Sequence, residues 1–291
     1  NDNITIKGKN FIIYFKITKK SKTNIVKNTY AKEILIETNT LDIAIKVSKL
    51  IMSAKTLLDA ELNFTLDNIP EIINLNTKNE RYNSNRPFIS TYGFLKSSLI
   101  ASKISFRNNL TNALFKYHLG CELFSNSVID LDPMHSNYIT LIKEKDILLR
   151  MGYAIVLFYS VLEEINLEVI ASNKQPSLVK GKWNPIVKSN LIERLKKSKI
   201  NIQDKFEWNL RSTPTRIQRK KKVKSLGKTS WTYGNTRDCY IEIIDAINYI
   251  SWLRSNIISH KIKKDMASIS VYDVANANFL ARRLLLEKLG F

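Results

Sequence analysis

Near its C-terminal end the chain reads "WLRSNIISHK", Trp252 to Lys261, placing Arg254 and His260 in a mostly apolar stretch with five residues between them. A guanidinium fits phosphate oxygens in bidentate fashion and stabilises the charge that builds on phosphorus. An imidazole of near-neutral pKa can take the proton of a hydroxyl or protonate a leaving oxygen. The two groups together supply what cleavage of a ribose phosphodiester needs, because RNA brings its own nucleophile, the 2′-hydroxyl. Such a reaction calls for no metal and no cofactor and leaves a 2′,3′-cyclic phosphate. DNA, without the 2′-hydroxyl, is a poor substrate for it. The spacing alone is a weak signal, since three histidines in an arginine-rich chain produce it readily.

Position adds to it. A helix is expected from about Asp238 to Ile258, with Ile243, Ile247, Ile250 and Ile257 defining one apolar face and Arg254 falling in the same series. A guanidinium on such a face needs a substrate anion, an interface or a protein partner. The plain structural alternative is that it snorkels, or pairs with Glu163 or Glu164 on a long central helix. On one straight helix His260 would lie about 9 Å further along the axis and point away from Arg254. Either the helix ends near Ser259 and the chain bends back, or the pair acts across a two-fold interface.

The elements that must position these residues follow from periodicity. "NITIKGKNFIIYFKITKK" alternates as strands with a turn near Gly8 to Asn10, and "AKEILIET" supplies another strand. A helix follows, with Thr40 as N-cap and Ala44, Val47, Leu50, Ile51, Ala54, Leu57 and Leu58 at helical spacing. "NLNTKNERYNSNRP" (Asn74 to Pro87) reads as a linker. Helical periods then dominate: "SFRNNLTNALFKYHLGCELF", interrupted near Gly120; a long buried helix through "GYAIVLFYSVLEE"; and "NPIVKSNLIERLKKSK", with Asn184 as cap and Pro185 in the first turn. Arg211 to Arg237 reads as a long exposed loop. The last helix starts after Ser270, with Asp273 in a near-capping box, and stops at Gly290. The expected class is α+β: an N-terminal α+β unit at 1–75, a linker with connecting helices at 76–140, and a mainly helical domain at 141–291 with a long basic insertion near 172–238.

Charge narrows the partners. Across 291 residues, 46 Lys+Arg stand against 26 Asp+Glu, for a formal +20. Richness in Lys, Ile and Asn explains part of the excess as solvated surface, but scarce acids leave a surplus that attracts polyanions. The run "RIQRKKKVK" offers Arg216, Arg219, Lys220, Lys221, Lys222 and Lys224 for phosphate contacts, and Trp231 and Tyr233 can stack unpaired bases. The alternative for that run is a solvated loop. Cys121 and Cys239 lie far apart, which fits free thiols in a reducing cytoplasm. "NDNITIKGKN" lacks the apolar run of a signal peptide, and the longest apolar stretch, Gly152 to Leu162, is too short to span a bilayer. A soluble cytoplasmic protein without a membrane partner is expected.

The C-terminal half, roughly Ile147 to Phe291, resembles the HEPN superfamily, compact helical domains whose hallmark is Arg–x(4–6)–His, here "RSNIISH". "YAIVLFYSVLEEINLEV" is similar to the long helix that packs against the motif helix in that superfamily. The resemblance implies a metal-independent endoribonuclease cleaving single-stranded or loop RNA, in a toxin–antitoxin or antiviral-defence setting. It implies a homodimer with both motifs lining one cleft, and an antitoxin or regulatory partner. Arg254 would bind the scissile phosphate, His260 would act as general acid/base, and Ser255 and Asn256 would orient the site. Active members often carry Asn, Asp or His after the arginine, where this chain has Ser255. Some members only bind, so a catalytically inactive nucleic-acid-binding or sensing module is the alternative.

Rival sites are thinner. "DLDPMH" places Asp130, Asp132 and His135 within reach of a hard metal, but further ligands at fitting spacing are absent, and a turn explains the residues. "HLGC" (His118 to Cys121) is half of a zinc site at best. With eight glycines in the chain, neither a Walker loop nor a dinucleotide fingerprint can be placed.

Overall fold

The fold was obtained as a computed structural model, which describes residues 3–18, 30–58, 91–129, 145–210, 237–255, 269 and 271–291. The chain is α+β, with seven helices and seven strands among the described residues. It divides into two compact units, residues 1–115 and 116–291. The linker expected at Asn74 to Pro87 lies outside the described residues.

In the first unit, β1 (Asn3–Gly8), β2 (Phe11–Thr18) and β3 (Tyr30–Thr38) form an antiparallel meander. Alternation decides which face is covered: Ile6, Phe11, Ile13 and Phe15 are buried, while Thr5 and Lys7 face out. Asn10 takes the left-handed position of the β1–β2 turn (φ 65°), a conformation asparagine tolerates. Helix α1 (Leu41–Leu58) begins as the sequence predicts, with Thr40 Oγ1 accepting from the Ile43 N–H at 3.3 Å. Val47, Leu50, Ile51, Ala54 and Leu57 of the predicted stripe are buried, with Ser53 and Thr56 beside them, while Ala44 and Leu58 are only partly covered. Helix α2 (Thr91–Ile104) packs on α1, and the Ser105 hydroxyl just beyond it accepts from the Lys9 N–H at 2.9 Å.

The second unit is built on α4 (Lys145–Glu164), which lies along α7 (Val271–Leu289). Helix α3 (Asn108–Ile129) is continuous through Gly120, contrary to the expected interruption. The glycine serves packing instead: a Cβ there would stand 2.8 Å from the Phe158 ring, itself buried against Tyr117 at a centroid distance of 5.7 Å. Helix α5 (Pro185–Lys197) starts as predicted, with Asn184 Oδ1 accepting from the Ile186 N–H at 3.1 Å. Gly290 (φ 79°) follows α7, as its left-handed stop requires.

Two hairpins depart from the expected pattern. The pair β4 (Leu178–Val179) and β5 (Lys182–Trp183) precedes α5. The pair β6 (Lys205–Leu210) and β7 (Arg237–Glu242) brackets the basic segment, so 237–242 is strand, and α6 begins only at Ile243 and runs to Leu253. The period of two in "KFEWNL" explains β6: Phe206 and Trp208 are buried, and Phe206 pairs with buried Ile241. Helix α6 is not one-sided either. Every residue from Ile243 to Ile250 is buried, because β6, β7, α4, α5 and α7 all contact it. Among the described residues no helix is long and apolar enough to cross a membrane.

Gly120→Ala tests the packing role of that glycine. Relief of the helix penalty is worth about 1 kcal/mol, whereas overpacking a filled core costs about 1–3 kcal/mol. The substitution is therefore expected to lower stability by about 1 kcal/mol in urea unfolding, and a rise would place Phe158 elsewhere.

Candidate functional site

Arg254 caps α6 in helical backbone (φ −54°, ψ −49°), and the chain widens into a π turn at Arg254 and Ser255. Its guanidinium lies 5.4 Å from the centre of the Tyr159 ring, and Nη2 stands 3.0 Å from Glu163 Oε1. Of the two acidic partners open to it in the sequence, Glu163 takes the arginine, while Glu164 pairs with Lys116 at 2.6 Å. The Arg254 side chain stays 40% exposed, and that decides the energetics. An ion pair this open contributes at most about 1 kcal/mol, so Glu163 and Tyr159 orient the guanidinium more than they hold the fold.

The parts around the arginine are fixed more firmly. Glu163 Oε2 accepts from the Ser160 hydroxyl at 3.0 Å. The Tyr159 hydroxyl donates to Ser251 Oγ and accepts from the Val169 N–H, both at 3.1 Å. Burial pushes this phenol above its ordinary range, against the pull of its Ser251 and Val169 contacts, so it remains a protonated donor at neutral pH. One tyrosine thus joins α4, α6 and the segment after α4, and presents its ring face to Arg254.

Ser255 is exposed beside Arg254. Asn256 and His260 lie outside the described residues, as do Arg216, Arg219, Lys220, Lys221, Lys222, Lys224, Trp231 and Tyr233 of the basic segment. Asp130, Asp132 and His135 also lie outside them. His118 and Cys121 belong to α3. His118 Nε2 sits 3.2 Å from Glu122 Oε1, and burial lowers its pKa, with Glu122 drawing it partly back. Cys121 is buried, receives Asn278 Nδ2 at 3.5 Å, and has its thiol pushed up to about 12, chiefly by burial. A thiol that resists ionisation is a poor nucleophile and a poor metal ligand. Among the described residues no group of three or more His, Cys, Asp or Glu is placed to hold a metal ion.

Sequence reasoning missed a set of buried polar residues around α6. Asp245 accepts from Trp183 Nε1 at 2.8 Å, and Asp273 accepts from the Tyr249 hydroxyl at 2.8 Å. Burial, then the Asp273 charge, raises the Tyr249 phenol well above its ordinary range. Asn248, Asn276 and Asn278 are buried as well, the last accepting from the Tyr117 hydroxyl at 2.9 Å. The signal was present in the spacing of Asp245, Asn248 and Trp252 opposite the isoleucine series. Such a stripe looks like a solvated face until its partners are known. Asp273, expected in a capping box, is used by Tyr249 across the helix pair.

No protein-family model, no curated protein and no solved structure matches the chain. Chemistry is therefore read from the geometry itself. A half-exposed guanidinium, backed by an aromatic face and held by one carboxylate, is a ready phosphate contact once that carboxylate gives way.

Two measurements check this arrangement. Tyr159→Phe leaves the buried Val169 N–H without its acceptor and is expected to cost about 1–3 kcal/mol. Glu163→Gln should cost under about 1 kcal/mol, and the reverse order in chemical unfolding would contradict the assignment of roles. Peptide-mapped mass spectrometry after iodoacetamide at pH 8 should find Cys121 unmodified in the native chain and fully modified in urea. Labelling of Cys121 at equal rates in both would mean that its thiol is neither buried nor suppressed.

Proposed function

We propose that the protein is a metal-independent endoribonuclease of HEPN type, cleaving single-stranded or loop RNA as a cytoplasmic homodimer in a toxin or antiviral-defence setting. The observation that supports it most is the Arg254 guanidinium. It is half exposed at the end of α6 and oriented by Tyr159 and Glu163, on a chain that reaches His260 six residues later.

In this reading Glu163 occupies, as an anion, the place that a phosphate takes when RNA binds. Arg254 then holds two non-bridging oxygens and offsets the charge gathering on phosphorus. His260 accepts the 2′-hydroxyl proton, and O2′ attacks phosphorus. The bond to O5′ breaks and the leaving oxygen takes a proton, giving a 2′,3′-cyclic phosphate and a 5′-hydroxyl. Ser255 and Asn256 orient the site. A two-fold copy would supply the second imidazole, so that one acts as base and the other as acid. Arg216 to Lys224 would draw in the RNA backbone, and Trp231 and Tyr233 would stack its bases. The N-terminal unit would serve regulation, sensing or docking of an antitoxin or other partner.

A second reading, a nucleic-acid-binding module without catalysis, is favoured by one observation: Arg254 already has a carboxylate partner. One assay separates the two. Labelled single-stranded RNA is incubated in EDTA with the wild-type chain, His260→Ala and Arg254→Ala. Cleavage by the wild type to cyclic-phosphate ends, reduced by about 100-fold or more in both variants, supports the nuclease. Binding without cleavage in every sample supports the module, and cleavage lost in EDTA alone would return attention to Asp130, Asp132 and His135.

A further inference from the structure

Between Ile170 and Phe206 the chain carries nine lysines and arginines against two acidic residues. Both acids are engaged. Glu193 pairs with Lys197 at 2.7 Å, and Asp204 with Arg283. Lys180, Lys182, Lys199 and Lys205 are exposed, and no acidic side chain among the described residues pairs with Lys180 or Lys199.

Two of these lysines stand where the backbone disfavours them. The β4–β5 turn is formed by Lys180 and Gly181, both at positive φ (45° and 82°), the two-residue geometry usually filled by Asn-Gly or Gly-Gly. Lys199 (φ 60°) is the left-handed residue that ends α5. Its N–H bonds Lys196 O at 2.9 Å and the Ile200 N–H bonds Leu195 O at 3.0 Å, a motif in which glycine is the usual choice. Elsewhere the fold uses residues that accept this conformation, Asn10, Asn166 and Gly290. Strained positions that keep a costly residue point to a role for its side chain.

The frame beneath them is fixed. Trp183 of β5 donates to Asp245 of α6, and Arg194 of α5 donates to Asn166 O, Glu168 O and Glu168 Oε2 at 2.9, 2.6 and 3.2 Å. The hairpin is thereby tied to α6, the helix that presents Arg254. Helix α5 is tied to the segment that follows Glu163.

We propose that the exposed lysines of the β4–β5 turn and the C-terminal end of α5, with Lys180 and Lys199 as fixed points, form a surface that follows the phosphate backbone of single-stranded RNA. The surface rests on the reading above in taking RNA as the ligand, but not on cleavage. Each lysine neutralises a phosphate and displaces counterions, so its contribution is visible in the salt dependence of binding. An anionic bilayer would use the same charges without needing them held at strained points, and it is one outcome of the test.

The full chain is titrated into a fluorescent, uncleavable 2′-O-methyl oligoribonucleotide, and in parallel onto phosphatidylserine vesicles, across a salt series. The comparison is with Lys180→Gly/Lys199→Gly and Lys180→Gln/Lys199→Gln. Glycine removes charge and strain together, so that variant is expected to melt no lower than the wild type. Its log affinity against log salt should flatten by about 1.4, at roughly 0.7 per lost phosphate contact, and its low-salt affinity should fall about tenfold. The glutamine pair should lose the same binding without the gain in melting temperature. An unchanged slope in both double variants overturns the proposal, as does a loss confined to phosphatidylserine vesicles. Cleavage of ordinary RNA is scored in parallel. Wild type that binds with the expected slope but never cleaves removes the nuclease and leaves this surface standing, while cleavage with an insensitive slope removes the surface alone.

Discussion

Helix α6 is buried from Ile243 to Ile250 and yet carries Asp245, Asn248 and Tyr249 within that span, and Ser251 and Arg254 just beyond it. A helix so enclosed cannot leave polar side chains to water, and each unpartnered one would cost about 1–3 kcal/mol. Much of the second unit can be read as the answer to that demand. Trp183 meets Asp245, Asp273 meets Tyr249, and Tyr159 meets Ser251. Each contact fixes a different element against α6: the β4–β5 hairpin, α7 and α4.

The demand relaxes toward the end of the helix, and there the chemistry becomes available. Arg254 is close enough to α4 to be aimed by Glu163 and Tyr159, and open enough to meet a ligand. Burial of the same guanidinium a turn earlier would have made its pair with Glu163 hard to open, because a buried charge left alone is far more costly than an exposed one. The gradient from a closed α6 to an open Arg254 therefore sets what the arginine can do. The Tyr159 phenol behind the guanidinium keeps its proton through burial.

Where one rule governed, the sequence was legible. The Thr40 and Asn184 caps, the α1 stripe, the β1–β2 turn and the stop at Gly290 are local signals, and the structure follows them. Glu163 as partner of Arg254 was among the options because paired glutamates on a long apolar helix are conspicuous. Misreadings arose where the cause is tertiary. Gly120 reads as a break, yet its purpose is the Phe158 ring on another helix. "RDCYIE" reads as the start of α6 because its strand character depends on pairing with Lys205–Leu210. The role of Asp245 is not legible at all, because its partner Trp183, sixty-two residues away, is invisible to local periodicity.

The proposed exchange of Glu163 for a phosphate at Arg254 can be tested directly. The Arg254 Nε–H resonance can be followed by 15N NMR while an uncleavable 2′-O-methyl oligoribonucleotide is added in EDTA. If Arg254 is the phosphate seat, its signal moves and saturates at the same RNA concentration as binding measured by fluorescence. A signal that stays fixed while RNA saturates the protein would leave Arg254 as a structural partner of Glu163 and contradict the site.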